Sequence, residues 1–359
     1  MKFRLLLQGF DTAECAYFLI PSRKCALDYK RLAVEKETLR QNKSRDPKVI
    51  ELGGIEFLFH PYGSSSGYPF IISNQDYKIS FGEFNHPAFF VKFKSLALWQ
   101  QGVFSLHNQF IQWAERLGFE QQRPESLSRV DFTFDYGVDE IDFDEDHFVS
   151  RSKKDTRYRK DHTLQTLQFG KDEIVLRVYD KIAEIEEKSH KEWFYDLWNT
   201  EPEQKVWRIE WQVRKAILKR FGIHNLQDLQ DGVGDILRYL SCEHETLREP
   251  NSDSNRSRWP LHPLWEDLQK QIESFCAQGL YRSIDTDSLL DERLLRIAIS
   301  IHGYLKMVAA IECIQRRRSM ISDEDALKRL YRKMKLIHDP LTWKVDVEKR
   351  IEKIRLGQW

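Results

Sequence analysis

The chain has 359 residues, of which 41% are hydrophobic and 31% charged, and its 56 Lys and Arg are balanced by 56 Asp and Glu. That length can bury a sizeable core in one large or two medium domains, and the neutral balance excludes a global electrostatic pull on nucleic acid. No stretch approaches the roughly 20 uninterrupted apolar residues of a membrane helix, and five irregularly spaced cysteines point to reduced thiols, so a cytoplasmic protein without membrane contact is expected.

The apolar run at residues 5–20 is broken by Gln8, Asp11 and Glu14. From residue 55 to 98 the runs IEFLFH, PFIIS, YKISF and PAFFVKFK are aromatic and β-branched, parted by turn residues at 63–67, 74 and 85–87, and predict strands. Residues 96–117 have helical spacing. Residues 129–135 (RVDFTFD) alternate polar and apolar, as a half-wet strand does. A basic segment at 151–160 precedes a hairpin of residues 163–169 and 173–179 around Gly170-Lys-Asp. A charged helix beginning near Ile182 parts this hairpin from a further alternating strand at 207–214 (WRIEWQVR). Residues 241–263 are rich in Ser, Asn, Arg and Pro and have linker composition. Beyond them the pattern is helical: Leu290, Leu294, Ile297, Ile301, Leu305 and Val308 follow three- and four-residue steps. Ser322-Asp-Glu-Asp325 resembles a capping box opening another helix, with Leu327, Leu330, Tyr331 and Met334 as its buried stripe. Residues 301–359 hold 14 Lys and Arg against 8 Asp and Glu, a surplus of positive charge suited to phosphates or simply to a solvated helical surface.

The expected organisation is therefore an α+β domain over residues 1–240, a linker at 241–263 and a helical region at 264–359 that binds DNA or dimerises. The sheet is antiparallel, with helices packed on its apolar side.

Strand parity collects chemistry on the other side. Successive side chains point to opposite faces, so Arg129, Asp131, Thr133 and Asp135 share one face. Arg177, Tyr179 and Lys181 share a face in the second alternating segment, and Arg208, Glu210, Gln212 and Arg214 in the third. A free tyrosine has a pKa near 10, so about one molecule in a thousand is phenolate at neutral pH, a handicap of roughly 4 kcal/mol for a nucleophile. Arg177 and Lys181 could reduce it, as could a divalent cation at the scissile phosphate. Asp131, Asp135 and Glu210 offer the hard oxygen ligands that suit Mg²⁺ or Mn²⁺. A phosphotyrosyl ester conserves the energy of the cut bond, so the strand could be resealed without ATP. Taken singly, each residue has a plainer reading: Tyr179 as an amphipathic strand tyrosine, Asp131 or Asp135 as partner of Arg129, and Glu210 as a cross-strand partner of arginines.

The order R-x-D-x-x-x-D, R-V-Y-D-K, W-R-I-E-x-x-x-R resembles the replication initiation factor family of rolling-circle plasmid initiators, filamentous phage replication proteins and related relaxases. The likeness runs over roughly residues 1–225 and includes G-F-D-T at Asp11 and T-L-Q-F-G-K-D before the tyrosine strand. It implies a relaxase-like domain that nicks one DNA strand at an origin. Tyr179 would join the 5′ phosphate and leave a 3′ hydroxyl to prime synthesis. It further implies acidic metal ligands (Asp131, Glu210 and Asp135) in place of a His-hydrophobe-His pair, and the sequence has no His-x-His. Lys181, Arg208, Arg177 and Arg214 would contact phosphate beside Arg129, and Arg157, Arg159 and Lys160 would supply a local basic patch holding Tyr158. The DNA would be single-stranded or cruciform. No nucleotide-binding loop is present, so a helicase would be a host partner, and the chain could act as a homodimer. Cys242, His244 and His262 are poorly spaced for zinc. The competing readings are a DNA-binding protein without chemistry and a metal-dependent nuclease that uses water.

Overall fold

The computed structural model describes residues 3–42, 47–138, 140–199, 205–275 and 286–355. They fall into two units, Met1–Ser283 and Ile284–Trp359.

The first unit opens with strand β1 (Phe3–Pro21), followed by helix α1 (Tyr29–Gln41) and strands β2 (Lys48–Leu52), β3 (Ile55–Phe59), β4 (Phe70–Ser73), β5 (Tyr77–Phe81) and β6 (Phe89–Phe93). Helices α2 (Ser95–Gln101) and α3 (Val103–Arg116) break at Gly102, where one helix had been expected from the apolar spacing alone. Strand β7 (Phe119–Val138) and the short β8 (Phe148–Ser150) lead to a meander of β9 (Asp155–Lys160), β10 (Thr163–Phe169) and β11 (Ile174–Asp180). The short helices α4 (Lys181–Glu184) and α5 (Trp193–Trp198), joined by a π turn, stand where one charged helix was expected, before β12 (Val206–Arg214). Helices α6 (Lys215–Arg220) and α7 (Leu226–Tyr239), strand β13 (Glu245–Leu247) and helix α8 (Pro263–Glu273) complete the unit.

Eleven strands form one antiparallel sheet in the order β2-β3-β4-β5-β6-β1-β7-β12-β11-β10-β9. The expected α+β architecture is present. The long strands β1 and β7 pair through the middle, and β9 is an edge whose six residues are all exposed. The hairpin turn at Gly170 needs glycine: its φ is +90°, and a Cβ there would lie 2.3 Å from the Ile174 carbonyl oxygen.

One face of the sheet is apolar and covered. Phe89 and Tyr17 meet Phe110 of α3, and Trp211 meets Trp265 of α8. The other face is polar along its middle strands, and one end of it is covered where α5 folds over it and α2 sets Trp99 against Gly9.

Residues 241–263 are not a linker. Leu247 on β13 is buried as β13 pairs with β8, and Trp265 is fully buried with its indole N–H donating to the Ser241 carbonyl at 2.7 Å. The polar residues that suggested a linker bond to one another: Asn255 accepts from Ser257, and the Trp259 indole donates to the Asp253 carbonyl. The unit boundary falls beyond this segment, at residues 283 and 284.

The second unit holds α9 (Thr286–Arg316), α10 (Asp323–Ile337) and α11 (Pro340–Arg355). Ser322 caps α10 by accepting from the Asp325 N–H. The stripe expected to be buried is not: Leu327, Tyr331 and Met334 are exposed, while Ala326 is buried and Arg329 reaches Glu312 of α9 at 3.0 Å. Within α9, Ile297–Arg316 is long and, on average, apolar enough to cross a membrane by length and composition, although Lys306 and Glu312 interrupt it and it is not the uninterrupted apolar run that the sequence lacks. Its charged residues are few enough for the average to stay apolar. Cys15, Cys25, Cys242 and Cys313 are free thiols, and Cys276 lies outside the described residues.

Candidate active site

In an antiparallel sheet, residues directly opposite one another share a face, so cross-strand registers define ranks of side chains running perpendicular to the strands. Four such ranks cross the polar face. The first is Lys92, Glu14, Arg129 and Arg214, and the second Thr12, Asp131, Gln212 and Val175. The third is Gly9, Thr133, Glu210, Arg177 and Gln168, and the fourth Leu7, Asp135, Arg208, Tyr179 and Thr166. The three alternating segments therefore do lie side by side, in the order β7-β12-β11.

The Tyr179 hydroxyl donates to Glu210 Oε2 at 2.9 Å, and Arg177 Nη1 donates to Glu210 Oε1 at 2.9 Å. Arg177 also reaches Gln168 and Gln212, so its guanidinium lies across the third rank. Burial, and then the charge of Glu210, pushes the Tyr179 phenol well above its ordinary pKa. Burial, and then the neighbouring carboxylates Asp131 and Asp11, pushes the Glu210 carboxyl up as well. The result is a phenol and a carboxylate in hydrogen-bond contact, with the carboxylate made more basic than usual. The phenol is therefore shifted opposite to the expectation that Arg177 and Lys181 would ease its ionisation, because burial and the Glu210 charge prevail.

The fourth rank is closed over. Arg208 is 0% exposed and makes a bidentate pair with Asp135, at 2.6 and 2.7 Å, while its Nη1 lies 3.3 Å from Asp11. The Trp198 indole donates to Asp135 Oδ2 at 2.8 Å, and the Phe194 ring lies 4.5 Å from the Arg208 guanidinium carbon. Lys181, 2% exposed, is held by Glu184 at 2.5 Å beside the same ring. Both aromatic residues belong to α5, so this helix is the cover.

These contacts correct three expectations. Arg208 and Lys181, expected beside a phosphate, are buried under α5 and paired with Asp135 and Glu184. Asp135 is not placed as a metal ligand, because both its oxygens already accept bonds from Arg208 and Trp198. The peripheral cations are also partly engaged: Arg157 and Arg159 both pair with Glu145, and Lys160 pairs with Glu187 at 2.5 Å. Arg214 is exposed at the end of β12, and Arg129 pairs with Asp131 and Glu14. The exposed Tyr158 lies on the polar face opposite Thr166, two strands from Tyr179.

Asp11 was not singled out as a site residue. It accepts from Ser95 Oγ at 2.7 Å and the Trp99 indole at 3.1 Å, and pairs with Lys191 at 3.5 Å. Burial alone would raise its carboxyl, but Arg208, then Lys191 and Lys181, outweigh burial and hold it well below the usual carboxylate range. Gly9 makes this possible, since a Cβ there would sit 2.8 Å from the Trp99 ring. The register between β1 and β7 slips between Phe10 and Thr12, and Asp11 is the extra residue at that slip.

Among the described residues no three His, Cys, Asp or Glu side chains come together as a metal site. Asp131 and Glu210 remain as a pair: Gln212 is opposite Asp131, so Glu210 is its diagonal neighbour on β12. Mg²⁺ is commonly held by one or two carboxylates together with substrate phosphates and water, but here both Asp131 oxygens accept from Arg129 and the two Glu210 oxygens accept from Arg177 and Tyr179, so a cation at this pair would have to displace those partners.

The fold is thus an α+β sheet domain carrying a tyrosine–glutamate pair on its polar face. No family model matches the sequence, and no curated protein matches it. Among solved structures, one described as a rolling circle replication initiator protein from Geobacillus stearothermophilus aligns with a TM-score of 0.42 and 17% identity, covering 78% of this chain and 100% of that one.

Proposed function

We propose that the first unit nicks single-stranded DNA by transesterification, with Tyr179 as nucleophile and Glu210 as its base. The observation that carries this is the 2.9 Å hydrogen bond from the Tyr179 hydroxyl to a carboxylate made more basic by its neighbours. The proton of Tyr179 passes to Glu210 as the phenolic oxygen attacks phosphorus. The bond from phosphorus to the 3′ oxygen breaks, the departing oxygen takes up a proton as a 3′ hydroxyl, and the 5′ phosphate stays on Tyr179. Arg177, which pairs with Glu210, would meet charge on the non-bridging oxygens. Asp131 and Glu210 would hold Mg²⁺ or Mn²⁺ by releasing Arg129 and Arg177, and such an ion would polarise the phosphoryl oxygens. Resealing reverses the same steps, and a site of this kind serves an origin of replication or transfer.

The test is incubation of the full chain with a randomised, end-labelled single-stranded oligonucleotide pool and Mn²⁺. A covalent adduct that maps to Tyr179 and vanishes in Tyr179→Phe supports the reading. Cleavage without adduct assigns a water-using nuclease instead, and retention without cleavage assigns a binding module.

A further inference from the structure

The first rank continues past the site. Lys92 on β6 is directly opposite Lys78 on β5, and Lys78 is opposite Ser73 on β4. One straight line across the sheet therefore reads Ser73, Lys78, Lys92, Glu14, Arg129, Arg214. Lys78 to Arg214 spans four inter-strand steps of about 4.8 Å, or roughly 19 Å. Four cations on this line face one carboxylate, Glu14, which is shared between Lys92 at 3.7 Å and Arg129 at 3.8 Å. Lys78 and Arg214 are exposed, as is Lys94, two residues beyond Lys92 on the same face. The excess of positive charge is felt locally, because burial, and then Lys78 and Lys94, lower the pKa of His60.

We infer that this line of cations is a track for the backbone of the single strand whose scissile phosphate sits at Tyr179, an inference that rests on the proposed nicking reaction. The line sets two cations on each side of Glu14, with Lys78 and Arg214 exposed at its ends, so an extended chain of phosphates laid across the strands would meet positive charge along most of its length. A single strand fits better than a duplex because Tyr179 is only 9% exposed, beside the cover formed by α5. A flexible strand can bend one phosphate toward a hydroxyl this little exposed; a duplex cannot until it is opened. The track carries no base-specific contacts and so acts alike on all sequences.

The test is fluorescence anisotropy with a labelled 30-nucleotide single strand of mixed sequence, measured without divalent metal over a range of salt. Each phosphate contact contributes about 0.7 to the slope of log affinity against log salt for a single strand, so Lys78→Ala/Lys92→Ala is expected to lower the slope by about 1.4. An unchanged slope overturns the track. So does an equal loss with a duplex of the same sequence, which would mean a general polyanion surface. The nicking reading is scored separately by the Tyr179 adduct: the adduct with an unchanged slope sinks the track alone, and a lowered slope without adduct sinks the chemistry alone.

Discussion

The two ends of the polar face are built from the same kinds of residue and do opposite things. At the covered end, Arg208, Asp135 and Asp11 form a closed set of ion pairs under Phe194 and Trp198, with Lys181 alongside. At the open end, Arg129, Asp131, Glu210 and Arg177 are just as close to one another, yet Arg129 and Arg177 keep part of their side chains in water. Chemistry on a sheet is decided less by which side chains share a face than by what lies on top of them. Charges sealed from solvent hold the fold, and those at the rim stay available to a substrate.

Arg208→Ala should give the largest effect on this contrast, because it strands Asp135 and Asp11 inside the protein. Removing one partner of a buried pair costs about 3–5 kcal/mol, and urea unfolding should show a loss of that size. A loss below about 1 kcal/mol would mean that the covered end is not structural. Glu210→Gln keeps an acceptor for the Tyr179 hydroxyl but cannot take its proton. Nicking should slow by about 10²- to 10⁴-fold with little change in stability, as measured by single-turnover cleavage beside a thermal melt. The wild-type rate should rise with pH through a midpoint above the usual carboxylate range, since Glu210 must be ionised to accept the proton and its carboxyl is pushed up.

A pH series on Asp11→Asn sharpens the comparison further. The folded carboxyl is held below its unfolded value, so its charge stabilises the protein at neutral pH, and that stabilisation is lost as pH falls through the acid range. The variant should therefore be less stable than wild type near pH 7 and approach it in strong acid; a constant difference would contradict the assignment. Arg177→Ala should have the smallest effect on stability, within about 1 kcal/mol, because its pair with Glu210 is partly in water. It should weaken single-strand binding all the same.

The sequence made the shared face legible because β7, β11 and β12 alternate without interruption, so parity alone placed Asp131, Glu210 and Tyr179 on it. The hairpin at Gly170 and the cap at Ser322 were legible for a similar reason, each being set by a few adjacent residues. Asp11 was not, because it lies where the β1 register slips and parity is lost. The fate of Arg208 and Lys181 was hidden in a different way. Nothing in strands β11 or β12 records that α5, formed by residues between them, turns back over their ends. Residues 241–263 misled through composition, since their exposed polar side chains also bond to one another beside the half-buried Trp259, while Leu247 in the same segment is buried.

The meander's outer strand, β9, ends the sheet with unpaired backbone groups along one side, the condition in which a second molecule can add its own strand and start a fibre. Its side chains guard against this. Charge alternates with aromatic bulk along Arg157, Tyr158, Arg159 and Lys160, and Glu145 and Glu187 fasten the cations in place. Charges fastened along this margin make it a poor template for a neighbour's strand, so the wide ladder is discouraged from growing a further rung at β9.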